Sequence, residues 1–162
     1  MKKKVIAFVH THWDREWYRE FETFRLRLIE VFDNVIDMLT SNKLPVFYFD
    51  GQTSALEDYL ELRPEKETII RQLIAEKKLY IGPMYCSIDE FLSSESVMNK
   101  NLELGIKYSK EFGCSEFLGY FSDTFGHTAN VIPIIKKHNI NTAIVWRGCG
   151  EIPSVFTPCG RK

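Results

Sequence analysis

His12 and Asp14 stand two apart in His10-Thr11-His12-Trp13-Asp14. In an extended segment such residues point to the same side. An imidazole and a carboxylate so placed make good zinc ligands once a third group arrives from another part of the chain. Asp123, within Tyr120-Phe121-Ser122-Asp123-Thr124-Phe125-Gly126-His127, offers a carboxylate as ligand and nucleophile, or as the N-cap of a following helix. Taken alone, a His-x-Asp pair equally describes polar loop residues at a surface. Trp13, Trp17 and Tyr18 set aromatic faces beside these groups, a pattern found both in carbohydrate sites and in ordinary cores. Arg147 can bind a substrate oxygen or hold a carboxylate by a salt bridge. His127 reads as a cap or brace of its turn, and His138 falls near a helix C-terminus, where positive charge is favoured.

These residues matter only if the fold brings them together. Val5 to Val9 and Val46-Phe47-Tyr48-Phe49 are short β-branched and aromatic runs suited to strands buried on both faces. Leu79-Tyr80-Ile81, Phe117 to Phe121 and Thr142 to Trp146 read as three more strands. Phe24, Leu28, Val31, Phe32, Val35, Ile36 and Leu39 recur at helical spacing over residues 20 to 41. Arg63-Pro64-Glu65 looks like a helix start, Ser93 to Glu95 can cap a helix reaching about Phe112, and residues 128 to 139 form a further helix. Alternation of this kind requires parallel pairing with right-handed crossovers. All strand C-termini then share one rim, where ligands of such folds bind. His12 and Asp14 follow the first strand, Asp50-Gly51-Gln52 the second, Met84-Tyr85 and Asp89-Glu90 the third, Asp123 and His127 the fourth, and Arg147 the fifth. Metal-capable and acidic groups converge there.

Composition narrows the function classes. The 162 residues carry 21 basic and 22 acidic side chains, a net charge of -1, so no clustered positive excess argues for nucleic acid. No apolar run approaches the roughly 20 residues that span a bilayer, and no signal-peptide core follows Met1-Lys2-Lys3-Lys4; a cytoplasmic protein without a membrane partner is expected. Cys86, Cys114, Cys149 and Cys159 include no Cys-x-x-Cys pair and read as free thiols. With no internal repeat or linker, residues 1–162 are read as a single α/β domain.

The run His10-Thr11-His12-Trp13-Asp14-Arg15-Glu16-Trp17-Tyr18, taken with Asp123-Thr124-Phe125-Gly126-His127, resembles the N-terminal catalytic domain of family 38 glycoside hydrolases, the retaining zinc-dependent α-mannosidases. Asp50-Gly51-Gln52-Thr53, Ile81-Gly82-Pro83-Met84-Tyr85, Asp89-Glu90-Phe91 and Val145-Trp146-Arg147-Gly148 resemble the bacterial branch of that family, in matching order. The resemblance implies the N-terminal part of an irregular seven-stranded parallel β/α barrel. It also implies Zn2+ held by His12, Asp14 and Asp123, with Asp123 as the carboxylate that attacks the anomeric carbon of an α-mannoside or mannose-containing oligosaccharide. Trp17 and Phe125 would supply apolar faces to the sugar, and Arg147 would sit near the sugar or the nucleophile.

The family's fourth zinc ligand, a histidine, and its general acid, an aspartate, come from chain beyond the fifth strand. The resemblance therefore implies a truncated member, slow or inactive alone, whose open sheet edge and uncovered apolar surface lead to self-association or partial disorder near residues 148 to 162. Met84 stands where the family usually has Trp, and Ser122 where it usually has Pro; both bear on pocket shape. Two competing readings are a zinc-dependent polysaccharide deacetylase, which tends to use a His-x-x-x-His pair that this sequence lacks, and a non-catalytic carbohydrate- or metal-binding module.

Overall fold

A computed structural model describes residues 7–148. Five strands alternate with helices: β1 Val9–Thr11, α1 Phe21–Thr40, β2 Phe47–Phe49, α2 Thr53–Leu62, α3 Glu67–Ala75, β3 Leu79–Ile81, α4 Glu95–Glu111, β4 Gly119–Phe121, α5 Val131–Lys137 and β5 Ala143–Val145. A single 3-10 turn at Pro64–Lys66 leads into α3. Every ladder is parallel. β1, β2 and β3 pair in that order with Val9 opposite Phe47 and Phe47 opposite Leu79, while β4 and β5 pair with Gly119 opposite Ala143.

The alternating α/β architecture is thus as expected, with three differences in detail. The first ladder runs over Val9–Thr11 rather than Val5 to Val9, because its extent is set by the three residues of β2 it can pair with; Val5 and Ile6 lie outside the described residues. The second is α2, which the sequence reading passed over. Its buried face includes Thr53, Ser54 and Asp58 beside Leu56 and Tyr59, so small polar residues interrupt the apolar stripe on which periodicity depends. The third is a break in the ladder between β3 and β4. Tyr48 bridges it, its hydroxyl donating to Gly82 O at 2.6 Å and lying 3.0 Å from Leu118 O, while its ring stacks on Tyr120 at 5.3 Å. Tyr120 in turn donates to Thr11 O at 2.6 Å, so two aromatic hydroxyls join the strand sets across the interior.

Strands of three residues contribute little by themselves, and two apolar cores carry the layer packing. One gathers Leu28, Phe32, Phe49, Leu56, Tyr59 and Leu73 between the first three helices and the β1–β3 sheet. The other gathers Met98, Leu102, Phe121, Ile134 and Ile140 under α4 and α5. Between them α4 passes very close to the segment leaving β3: a Cβ on Gly105 would overlap the backbone of Pro83 and Met84. That approach lets Asn101, one turn earlier on α4, bracket Cys86, accepting its N–H at 3.0 Å and donating to its carbonyl at 2.8 Å. The rim after β3 is fixed in this way.

Cys86 and Cys114 are free thiols, as expected; Cys149 and Cys159 lie outside the described residues. No described helix is long and apolar enough to cross a membrane. The expected open edge near residues 148 to 162 also falls almost wholly outside the described residues.

Helix propensity alone would make Gly105→Ala stabilising by about 1 kcal/mol. The overlap reverses the sign. Gly105→Ala is expected to lower unfolding stability by about 1–3 kcal/mol, read as the midpoint of urea denaturation; a midpoint at or above wild type would contradict this packing.

Candidate metal centre

Beyond the end of β1, His12 and Asp14 come together at 3.4 Å while Trp13 packs against the core, edge-on to Phe24 at 6.2 Å. Asp123 arrives from the loop after β4. One donor atom from each of His12, Asp14 and Asp123 lies within 4.8 Å of the others. His12 Nε2 is 3.4 Å from Asp14 Oδ1 and 3.8 Å from Asp123 Oδ2. Beside them lies an open cavity of about 370 Å³ lined by Trp13, Asp14, Asp89, Asp123 and Phe125 among others.

His12 is oriented from behind. Its Nδ1 donates to Asp50 Oδ1 at 2.9 Å, and Asp50 has no solvent exposure. A carboxylate can only accept here, so the proton sits on Nδ1 and the Nε2 lone pair faces the other two donors. Gln52 completes the brace: its Nε2 donates to Asp50 Oδ2 and, at 2.9 Å, to Trp13 O, while its Oε1 accepts from Ser87 N at 2.7 Å. The ends of β1, β2 and β3 are therefore joined through one amide. The turn needs left-handed backbone at Asp50 and Gly51, φ 44 and 71, and a Cβ on Gly51 would lie 2.7 Å from Tyr120 Cβ. Glycine is the residue that fits.

The donor set suits zinc. Ligands about 2.0–2.2 Å from a tetrahedral ion stand about 3.3–3.6 Å apart, close to the two separations from His12 Nε2. One nitrogen and two carboxylate oxygens are ordinary zinc ligands, and an imidazole donating its far N–H to a buried carboxylate is the usual support for a metal-bound histidine.

The hydrogen bond to Asp50 is the largest influence on His12 and raises its pKa above the ordinary imidazole value; burial opposes it, and Asp14 and Asp123 add to it. Burial raises the pKa of Asp50 despite the imidazole. Both directions mean that the pair retains its proton to higher pH than separate groups would.

The remaining residues singled out by sequence fall as follows. Arg147 takes the salt-bridge role, its Nη2 2.5 Å from Asp123 Oδ1. Phe125 lines the cavity with the Arg147 guanidinium 5.9 Å from its ring centre. Trp17 is 75% exposed, edge-on to Tyr18 at 5.3 Å, and does not line the cavity, although its neighbour Glu16 does. Asp123 does not cap α5, which begins at Val131. His127 contacts a buried glutamate, Glu90. His138 stands at the C-cap of α5, near the helix C-terminus as expected, where burial lowers its pKa and Nε2 meets Asn99 Oδ1 at 3.1 Å. Asp50, Gln52 and Glu90 were placed on the rim by sequence order but given no role. Asp50-Gly51-Gln52, directly after a strand, was the available signal.

The sequence model for the "Glycosyl hydrolases family 38 N-terminal domain" matches residues 2–149. A protein of Halalkalibacterium halodurans named "Putative mannosylglycerate hydrolase" is 42% identical over 150 residues, 91% of this chain and 17% of that protein. "Alpha-mannosidase G" of Dictyostelium discoideum is 28% identical over 93% of this chain and 14% of its own length. Among solved structures, an alpha-mannosidase from Enterococcus faecalis V583 superposes with a TM-score of 0.80 at 39% identity, covering 84% of this chain and 16% of that one. The chain spans about a sixth of the length of the relatives it matches.

In the metal-free chain, a proton NMR titration should place the His12 midpoint above the ordinary 6.5. Asp50→Asn removes the largest raising influence and leaves burial acting downward, so the midpoint should fall. An unchanged midpoint in Asp50→Asn would show that the Nδ1 bond does not govern this imidazole.

Proposed function

The chain belongs to the family 38 glycosyl hydrolases, matching their N-terminal domain, and on that premise we propose that it carries the nucleophile and most of the zinc site of a retaining α-mannosidase. The observation that carries the reading is the meeting of His12, Asp14 and Asp123 from two different strand ends. Zinc, when bound by these three side chains, would grip neighbouring sugar hydroxyls and offset the charge of the clustered carboxylates.

Asp123 has its two oxygens in different surroundings. Oδ1 is held by Arg147, and Oδ2 faces His12. Arg147 thereby holds the carboxylate aimed into the cavity. In the reaction an Asp123 oxygen forms a bond to the anomeric carbon as the bond to the leaving oxygen breaks, giving a glycosyl ester that water then cleaves with net retention. Phe125, with Trp17 one residue beyond the cavity-lining Glu16, supplies apolar surface to the sugar ring. The substrate class is a terminal α-mannoside, and the relative named for mannosylglycerate places that glycoside among those to be assayed. A cytoplasmic setting belongs to the same proposal.

A fluoride leaving group departs without protonation, so α-mannosyl fluoride tests the nucleophile independently of any general acid. With Zn2+ the chain should release fluoride, and a fluorinated mannosyl fluoride that slows ester hydrolysis should leave a mannosyl adduct on the peptide containing Asp123. Asp123→Asn should abolish both. By calorimetry Asp14→Ala should bind Zn2+ at least about tenfold more weakly. Equal zinc uptake by wild type and Asp14→Ala would remove the metal centre, and adduct formation elsewhere would remove the nucleophile.

A further inference from the structure

Behind the Asp123 loop lies a polar chain that the reaction above does not use. Glu90 is 2% exposed, deep for an ionisable residue, and both of its oxygens are engaged. Oε2 accepts the backbone N–H of Thr128 at 2.8 Å, and Oε1 lies 2.8 Å from His127 Nδ1. The His127 ring stands edge-on to Phe121 at 5.7 Å, and its far nitrogen, Nε2, lies 3.0 Å from the carbonyl oxygen of Arg147. A carbonyl can only accept, so Nε2 carries a proton and donates it. From that anchored peptide the Arg147 side chain turns back over Asp123: Nε donates to Asp123 O at 3.2 Å, and Nη2 meets Oδ1 at 2.5 Å.

A separate packing observation places the same two loops in contact. A Cβ on Gly148 would lie 2.6 Å from Gly126 N and 2.8 Å from Thr124 O, so the segment after β5 is pressed directly against the loop after β4. With φ +77 at Gly148, no side chain could take its place without strain. His127 and Arg147 tie these loops by directed bonds in opposite senses, His127 to the Arg147 peptide and Arg147 to Asp123.

We propose that Glu90 and His127 are positioning residues for Asp123. They lock the Arg147 peptide in place, so that its guanidinium occupies Oδ1 and leaves Oδ2 turned toward His12 and Asp14. The proposal rests on the reading of Asp123 as a zinc ligand and adds that this ligand is aimed from the β3 and β5 rims. The hydrogen-bond logic also names a conservative rescue. In Glu90→Gln, the amide N–H can donate to an unprotonated Nδ1 while the amide oxygen still accepts from Thr128, leaving Nε2–H on Arg147 O. Glu90→Leu cannot do this, and His127→Phe keeps the ring without its nitrogens.

The test is Zn2+ calorimetry on this chain, with thermal unfolding of each variant alongside. Glu90→Leu and His127→Phe should each weaken Zn2+ binding about tenfold, the scale of losses from groups that support metal ligands. Glu90→Gln should bind like wild type. In an Asp123→Ala background, His127→Phe should produce no further loss, because nothing remains for it to aim. Wild-type affinity in both variants, or an equal loss in both backgrounds, would reduce the pair to a purely structural role. If Asp123→Ala itself binds Zn2+ like wild type, the metal assignment fails first, a result distinguishable from failure of the positioning pair alone. Should the variants fold poorly, nitrogen-15 NMR of the wild-type imidazole decides without them. His127 Nε2 should be protonated and hydrogen-bonded, and a bare Nε2 would overturn the proposal.

Discussion

A carboxylate without solvent contact, Asp50 at the end of β2, is the constraint around which the rim is organised. Removing a carboxylate from water costs several kcal/mol unless donors replace the lost hydration. Here they are His12 Nδ1 and the Gln52 amide, and the same amide reaches Trp13 and Ser87. One buried charge thus requires three strand ends to adopt a common arrangement. The imidazole that satisfies it is left with its other nitrogen pointing at two carboxylates. The orientation of this imidazole is a consequence of satisfying the buried charge.

The two arms of the site are held differently. On the β1 side Arg15 makes a two-pronged contact with the buried Asp58, 2.8 and 2.9 Å, and lies 4.7 Å from the ring centre of Phe21, which fixes the loop just beyond Asp14 onto α2 and the start of α1. On the β4 side, Asp123 and Arg147 are each about half exposed. An ion pair so placed adds at most about 1 kcal/mol to stability. Its value is directional. The acidic ends of the two arms are similarly open, the Asp14 side chain 42% and that of Asp123 48% exposed, and what differs is the anchor: Arg15 reaches a buried carboxylate on α2, whereas Arg147 reaches Asp123 itself.

Parallel alternation and the shared rim were legible in the sequence because Val46 to Phe49 and Leu79 to Ile81 are short apolar runs separated by helical stretches. His12, Asp14 and Asp123 were legible because each directly follows such a run. The parts that were not legible depend on contacts distant in sequence. α2 hides its period behind buried Thr53, Ser54 and Asp58, whose partners are other segments and not their own helix. Asp50 is 38 residues from the histidine it orients, and Glu90 is 37 from His127. Spacing rules describe one element at a time and say nothing about which polar residue fills the space behind another. Neighbouring aromatic residues are likewise not sorted by spacing: the Trp17 ring stands at the surface while Trp13 faces inward.

Met84 shows how a departure from the family pattern can be absorbed. It stands where Trp is usual in the family that the sequence resembles, and read from sequence it bears on the shape of the sugar pocket. In the fold its side chain is buried in the second core with Met98, Leu102 and Phe121, and it is not among the residues lining the cavity beside His12. Its backbone does the work at the rim: Met84 N donates to Gly51 O and Met84 O accepts from Thr53 N, both at 2.9 Å, which holds the Asp50 turn against the β3 end. A flexible thioether can fill the space under α4, while Gly105 keeps that helix close enough to hold the backbone in place. The constraint on this position is therefore the path of its peptide, and side-chain identity is felt in the core before it is felt at the site.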